Sequence, residues 1–244
     1  MEFKFMTTGK RFSWPVFWDF FIPILILAII TILFRSTNWD LKIARHFFKP
    51  GIRLGFGMDD YPWYIIYKVG ATPAIVSVSF AGFIFVVGLF YKAFKSYRLR
   101  CLFVILLMSI SPGIIVNSIF KEHWGRPRPI GCVEFKGTHQ FKKVWTPNFK
   151  DADQSQSFPS GHASMAFFMF FPFFLYRAYR KNKRAILWLI IGLVYGGLMS
   201  YTRIYQGGHF TSDCLWAGGF DYLTAVVLYY ALRLRKEALK SVNP

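Results

Sequence analysis

"SFPSGHASMAFFMFFPFFLY", residues 157–176, decides how this chain is read. A polar head carrying Ser160 and His162 runs directly into a phenylalanine-rich stretch that no charged residue interrupts. Such a run is suited to a bilayer interior. A histidine at the mouth of a membrane helix then needs a reason. The ordinary reason is a helix start, with Pro159 ending what precedes, Ser160 as the cap and His162 as a polar bystander. That reading suffices unless other reactive side chains collect on the same side of the membrane.

Composition supports the bilayer. Of 244 residues, 54% are hydrophobic and 20% aromatic, and the mean hydropathy is +0.34. An ordinary soluble domain of this length is less apolar, so the chain reads as a polytopic membrane protein. The formal net charge of +18 raises the question of nucleic acid. The lysines and arginines fall in clusters between apolar stretches, however, as they do in membrane loops, and no nucleic-acid partner is expected. Cys101, Cys132 and Cys214 form neither a disulfide framework nor a zinc-ligand spacing, and read as packing residues.

Six apolar runs are long enough to be spans: about 16–34, 72–94, 101–120, 160–176, 185–202 and 212–232. The fourth is short, and Pro172 predicts a kink near its far end. The first follows Lys4, Lys10 and Arg11 but is too long for a signal peptide and lacks a cleavage site, so it reads as an uncleaved helix. With the N-terminus inside, the inner segments carry 16 basic residues in 44 positions and the outer ones 14 in 85. This asymmetry predicts both termini in the cytoplasm. The expected fold is all-α, one domain over 1–244: a six-transmembrane helical bundle with long outer loops. Residues 38–49, "NWDLKIARHFFK", place Leu41, Ala44, Phe47 and Phe48 on one helical face and Lys42, Arg45, His46 and Lys49 largely on the other. That pattern predicts an interfacial outer helix, or else an ordinary surface-loop helix.

The same topology puts three polar clusters on the outer side. The third span ends in "KEHWGRPRP", 121–129, where Lys121 offers a mobile point charge and Arg128 a planar fork for two phosphate oxygens. Alone, this is equally a basic loop beside anionic lipid. The fifth span runs into "YTRIYQGGHFTSDC", 201–214. There Arg203 precedes a Gly207-Gly208 turn. His209 and Asp213, four apart, can hydrogen-bond if both are helical, which would fix the imidazole tautomer. Alone, the pair could equally cap a helix or satisfy a buried polar group. The third cluster is Ser160-Gly161-His162, where free amides at a helix start favour an anion.

In order these read Lys-x6-Arg-Pro, Pro-Ser-Gly-His and Arg-x5-His-x3-Asp. On these residues the chain resembles the type 2 phosphatidic acid phosphatase superfamily, whose relatives include vanadium-dependent haloperoxidases and acid phosphatases. The third motif usually opens with serine beside the arginine; here Thr202 stands in that place. The resemblance implies that His209 is the nucleophile, giving a phosphohistidine, and that Asp213 orients it. It implies that His162 protonates the departing oxygen and later activates water. Lys121, Arg128, Arg203 and the Ser160–Gly161 amides would hold the equatorial oxygens, with no metal or other cofactor. General chemistry agrees, because phosphoryl transfer is mainly positioning and charge stabilisation.

Six spans argue for an anionic lipid substrate, and a resemblance to bacterial lipid A phosphatases implies a bacterial inner membrane with the site at its periplasmic face. The loop "GCVEFKGTHQFKKVWTPNFKDADQSQSFPSGHAS" resembles that of bacterial lipid A phosphatases, whose "EFGG…F.P" pattern is approximated by Glu134-Phe135-Lys136-Gly137 and Phe141…Thr146-Pro147, with Lys136 in place of the first glycine. Lipid A 1-phosphate is the expected substrate. Lipid A 4′-phosphate, phosphatidylglycerophosphate and undecaprenyl pyrophosphate stay open, as do a lipid phosphotransferase and a non-catalytic anionic-lipid binder; oligomeric state is not legible. Asp221 is read as a structural hydrogen-bond partner, Asp19 as a solvated residue near the inner interface, Trp124 as an interfacial aromatic, and Gly192-x3-Gly196 as a close helix approach.

Overall fold

The computed structural model describes residues 14–149 and 156–236; Lys4, Lys10 and Arg11 lie outside them. The architecture is helical, and no β-strand occurs among the described residues. Helix α1 is Trp14–Ser36, α2 Trp39–Phe47, α3 Trp63–Val69 and α4 Thr72–Phe90. Helix α5, Arg98–Met108, continues as a π-helix over Ser109–Lys121. The opening stretch forms α6, Gly161–Phe167, and α7, Phe171–Ala178. Helices α8, Asn182–Tyr205, and α9, Thr211–Ala231, complete the bundle.

Four helical stretches are long and apolar enough to cross a membrane: Val16–Ser36, Trp63–Phe90, Lys92–Lys121 and Asn182–Tyr205. They cover the first, second, third and fifth expected spans. Their large apolar side chains face outward: Ile32 is 65% exposed, Phe80 65% and Val194 66%. In water such a belt would be an aggregation hazard, whereas in a bilayer it is the surface that meets lipid. Pro23 sits inside α1 without ending it, as is tolerated in membrane helices.

The other two expected spans correspond to α6–α7 and α9, which form the interior of the bundle. Their composition is mixed because they carry the polar groups: α9 holds buried Asp213 and Asp221, and α6 begins beside Ser160. The expected kink is a 3₁₀ turn at Phe168–Phe170, and Pro172 lies in the first turn of α7, where its missing N–H costs nothing. Around it, Phe103, Phe168, Phe170 and Phe174 are buried with Ala163, Ala217 and Ala225. Lipid tails are as apolar as these rings, so close packing rather than water exclusion holds them. Gly192 and Gly196 allow α8 to lie against Phe170 and Phe167, respectively, as the small-residue spacing predicts.

Two sequence expectations change. Asp19 is not solvated: its carboxylate accepts from Arg177 at 2.7 Å and from the Tyr230 hydroxyl, because α1, α7 and α9 meet there. Helix α2 forms as expected, with Lys42, Arg45, His46 and Lys49 exposed. Its apolar face, however, packs on the outer loops rather than merely resting at an interface. Ala44 is buried, and Leu41, Phe47 and Phe48 pack with Phe56, Cys132, Phe135 and Phe210. All three cysteines are buried and free. Trp124 packs with Phe120, Trp145 and Phe158 under the outer loop.

Candidate active site

The loops between the helices knit the three sequence clusters together through their backbones. Ser157 N–H donates to the Arg126 carbonyl at 2.9 Å, Ile130 N–H to the Gly207 carbonyl at 3.1 Å, and Ser160 N–H to the Asp213 carbonyl at 3.2 Å. Each bond joins segments far apart in the chain, and together they converge on His209.

The α8 terminus delivers that histidine. Gly208 and His209 N–H both donate to the Arg203 carbonyl, at 3.0 and 3.3 Å, turning the chain back over the last helical turn. Gly207 has φ +63°, and a side chain there would meet the Phe56 ring at 2.5 Å. Gly208 lies so close to the Arg203 guanidinium that a Cβ would collide with it. Two glycines are therefore required in succession, one for the turn and one for the approach.

His209 is 2% exposed. Its Nδ1 lies 2.6 Å from the Ser157 carbonyl. A carbonyl only accepts, so Nδ1 carries the proton and the Nε2 lone pair is free. The expected hydrogen bond to Asp213 is not made, since Nδ1 and Asp213 Oδ2 are 4.0 Å apart. His209 precedes α9 instead of lying on it, so the four-residue helical spacing does not apply. Asp213 acts at one remove: Oδ2 accepts from the Ser157 hydroxyl at 2.6 Å and from Phe210 N–H at 2.8 Å. It thereby grips the residue whose carbonyl grips the imidazole.

Burial lowers the His209 pKa well below 6.5, and the positive charges of Arg203, Arg128 and Lys121 lower it further. The ring is neutral at physiological pH. The same three cations also act on His162. Both imidazoles therefore lie within the field of the same three charges.

Those cations are held differently. Lys121 ends the π-helix, and its ammonium donates to Asn117 Oδ1 at 3.4 Å, while Asn117 Nδ2 donates to the Pro112 carbonyl at 2.6 Å. Arg203 is 4% exposed and donates from Nη1 to Gln206 Oε1 at 2.5 Å, but its Nε has no partner among the described residues. The Arg128 guanidinium, between Pro127 and Pro129, has no hydrogen-bond partner among the described residues. A buried guanidinium with a spare N–H, in the field of a second unpaired one, is chemically suited to an anion. Ser160 caps α6, its hydroxyl accepting from Ala163 N–H at 3.4 Å. Its own amide is committed to Asp213, so of the Ser160–Gly161 pair only the Gly161 amide remains for a ligand.

Sequence reasoning missed four supports. Arg126 is fully buried and donates to Asp40 Oδ2 at 2.7 Å, to Ser212 Oγ at 2.8 Å, to the Lys142 carbonyl at 2.9 Å and to Asp213. Burial pulls its pKa down, but Asp213 and Asp40 outweigh that and raise it. Asp40, on α2, also accepts from Ser212 N–H at 3.0 Å and its hydroxyl at 2.6 Å. Tyr67 on α3 stacks on His162 with ring centres 4.6 Å apart, and the Arg203 guanidinium carbon lies 4.4 Å from the Tyr67 ring centre. Asn117 is the fourth. A second arginine in the same Gly-Arg-Pro-Arg-Pro stretch, two residues before Arg128, was the available signal for Arg126; nothing local marks the others.

Comparison with known proteins agrees with this geometry. The PAP2 superfamily matches over residues 102–237, which hold every expected site residue. The chain is 34% identical over 206 residues to a lipid A 4′-phosphatase of Francisella tularensis subsp. novicida (strain U112), covering 82% of this chain and 89% of that one. It is 31% identical over 150 residues to a lipid A 4′-phosphatase of Rhizobium leguminosarum, covering 59% and 58%. No solved structure matches. Two histidines in the field of three common cations, carried on membrane-length helices, and the family match lead to one conclusion: the chain belongs to the PAP2 superfamily and is a membrane-embedded lipid phosphatase.

Proposed function

We propose that this enzyme removes a phosphate from lipid A at the outer face of a bacterial inner membrane, through a phosphohistidine on His209. The carrying observation is the locked tautomer: Nδ1 is held by the Ser157 carbonyl, Nε2 is unencumbered, and the charges of Arg203, Arg128 and Lys121 bear on the ring. Nε2 attacks phosphorus while the bond to the lipid oxygen breaks and His162 gives that oxygen its proton. Water then attacks the phosphohistidine, losing a proton to His162, and the P–N bond breaks to release phosphate and neutral His209. The three cations and the Gly161 amide meet the charge on the equatorial oxygens.

Substrate choice rests on the relatives. Overall resemblance favours the 1-phosphate in the sequence, but the relatives act, by name, on the 4′-phosphate, and we take the 4′-phosphate as the preferred position. Lys136 supports the loop likeness: it adopts φ +68°, the left-handed conformation for which the pattern's glycine is suited. We further propose six spans, with α6–α7 and α9 crossing inside the four lipid-facing helices and both termini cytoplasmic. Incubating bis-phosphorylated lipid A with wild type and His209→Ala tests the reading. Free phosphate and a mono-phosphorylated product lacking the 4′ group are expected from wild type alone. Phosphate moved to an acceptor lipid would make the enzyme a phosphotransferase, and removal of the 1-phosphate would reverse the regiochemistry.

A further inference from the structure

The family match begins at residue 102, yet one side chain in the cavity comes from the segment before it. Among the described residues the His162 imidazole has no hydrogen-bond partner; the ring contact it makes is with Tyr67, at 4.6 Å between centres and 35° between planes. Arg203 lies against the same Tyr67 ring, at 4.4 Å from its centre. The two residues differ in what else holds them. Arg203 keeps its bond to Gln206 if the ring is lost, and Gln206 is itself held by the Met58 carbonyl at 3.1 Å. His162 keeps nothing of the kind.

The ring is well mounted for such a task. Helix α3 is clamped to α8 by the Tyr195 hydroxyl, which donates to the Gly70 carbonyl at 2.8 Å. Trp63 packs on Tyr201 and Tyr205 at 4.7 and 5.6 Å. Tyr205 in turn donates to Asp60 at 2.5 Å. Side chains that position a catalytic group must themselves be fixed, and this one sits on a short helix fastened at several points.

We propose that Tyr67 is a positioning residue: its aromatic face sets the orientation of the His162 imidazole toward the departing lipid oxygen, with Arg203 stacked against the same ring. This rests on the reading of His162 as proton donor. Loss of the face frees the His162 ring to rotate, so protonation of the leaving oxygen suffers while attack at phosphorus by His209 does not. The phenolic hydroxyl is not required.

The test compares two substrates in the same detergent micelles. One is lipid A, whose sugar oxygen leaves only when protonated; the other is an acyl-chain-bearing nitrophenyl phosphate, whose oxygen leaves without a proton. Tyr67→Phe is expected to match wild type on both. Tyr67→Leu is expected to lower kcat/KM, which reports the steps up to departure of the first oxygen and not the later hydrolysis that both substrates share, by about 30–100-fold on lipid A and by less than about threefold on the nitrophenyl ester. Equal losses on the two substrates, or a Tyr67→Phe variant as impaired as Tyr67→Leu, would overturn the proposal. If Tyr67→Leu does not elute as a monodisperse protein, Tyr67→Met, which keeps apolar bulk without a planar face, carries the same comparison. His162→Ala separates the two ideas. Equal loss of kcat/KM on both esters in that variant removes the proton-donor role itself, whereas the unequal pattern in His162→Ala without it in Tyr67→Leu removes Tyr67 alone.

Discussion

Asp40 and Asp213 grip the two ends of one guanidinium, that of Arg126, with Nη2 on the first and Nη1 on the second. The three side chains are buried and tie α2, the outer loop and α9 into one unit beneath the cavity. Removing one partner from such a group leaves charge without compensation. Arg126→Leu is therefore expected to cost about 3–5 kcal/mol. Arg126→Lys should fare little better, because an ammonium cannot bond Asp40, Ser212, Asp213 and the Lys142 carbonyl from one planar fork. Thermal unfolding in detergent reads both, and an unfolding temperature unchanged in Arg126→Leu would refute the role.

Asp213 reaches His209 only through Ser157, and this arrangement has a distinguishable consequence. Ser157→Ala keeps the carbonyl that holds Nδ1 and loses only the hydroxyl's bond to Asp213. Asp213→Asn disturbs that bond, the Phe210 N–H and the Arg126 pair together. We expect kcat to fall about 10²-fold in Asp213→Asn, by misplacement of the nucleophile. Ser157→Ala should lose much less. A direct carboxylate–imidazole bond would instead leave Ser157→Ala fully active, so steady-state kinetics on the two variants separates the arrangements.

Much of this was legible in the sequence, for physical reasons. Hydropathy marks helices whose outer faces meet lipid, so α1, α4, α5 and α8 read directly. His162, His209, Lys121, Arg128 and Arg203 each lie in a short contiguous pattern, and charge asymmetry placed those patterns together before any coordinates. Asp40 could not be read this way, because within α2 it looks like part of the charged flank and its partners, Arg126 and Ser212, lie 86 and 172 positions on. Tyr67 had no signal at all. The His209–Asp213 bond failed because spacing implies contact only on a continuous helix, and α9 starts at Thr211.

The acid side of the pH profile follows from His209. Its imidazole must be neutral to attack, and burial with three nearby cations holds its pKa well below 6.5. The acid limb of kcat/KM that reports the nucleophile is therefore expected below the ordinary imidazole range. Stability moves the same way. Below pH 6.5 the unfolded chain takes up a proton on this residue that the folded one refuses, so acidification favours unfolding. His209→Gln should flatten that part of the stability curve; an unaltered curve would count against a buried neutral ring.

In the proposed mechanism the charge on the transferring group is met by side chains, so chelation should not matter. Turnover is expected to persist in excess EDTA, and orthovanadate, which adopts the five-coordinate geometry of the transition state, should inhibit. Arg203→Ala and Arg128→Ala should each lower kcat by about 10²–10³-fold and weaken vanadate inhibition in parallel. Activity abolished by EDTA and restored by a divalent ion would remove this cation set from its assigned role.

Deeper in the bundle, Asp221 Oδ1 accepts from the Ser111 hydroxyl at 2.5 Å and the Ser164 hydroxyl at 2.9 Å, joining α9, the π-helix and α6. Its Oδ2 has no partner among the described residues. An amide offers the same accepting oxygen, so Asp221→Asn should retain both fold and turnover. Asp221→Leu strands two buried hydroxyls and should cost about 1–3 kcal/mol for each. Adding Ser111→Ala and Ser164→Ala to that variant removes the stranded groups, and most of the lost stability should return. A proton path through Asp221 gives the opposite result, with Asp221→Asn inactive although folded, and the phosphate-release rate of that one variant decides between a clamp and a conduit.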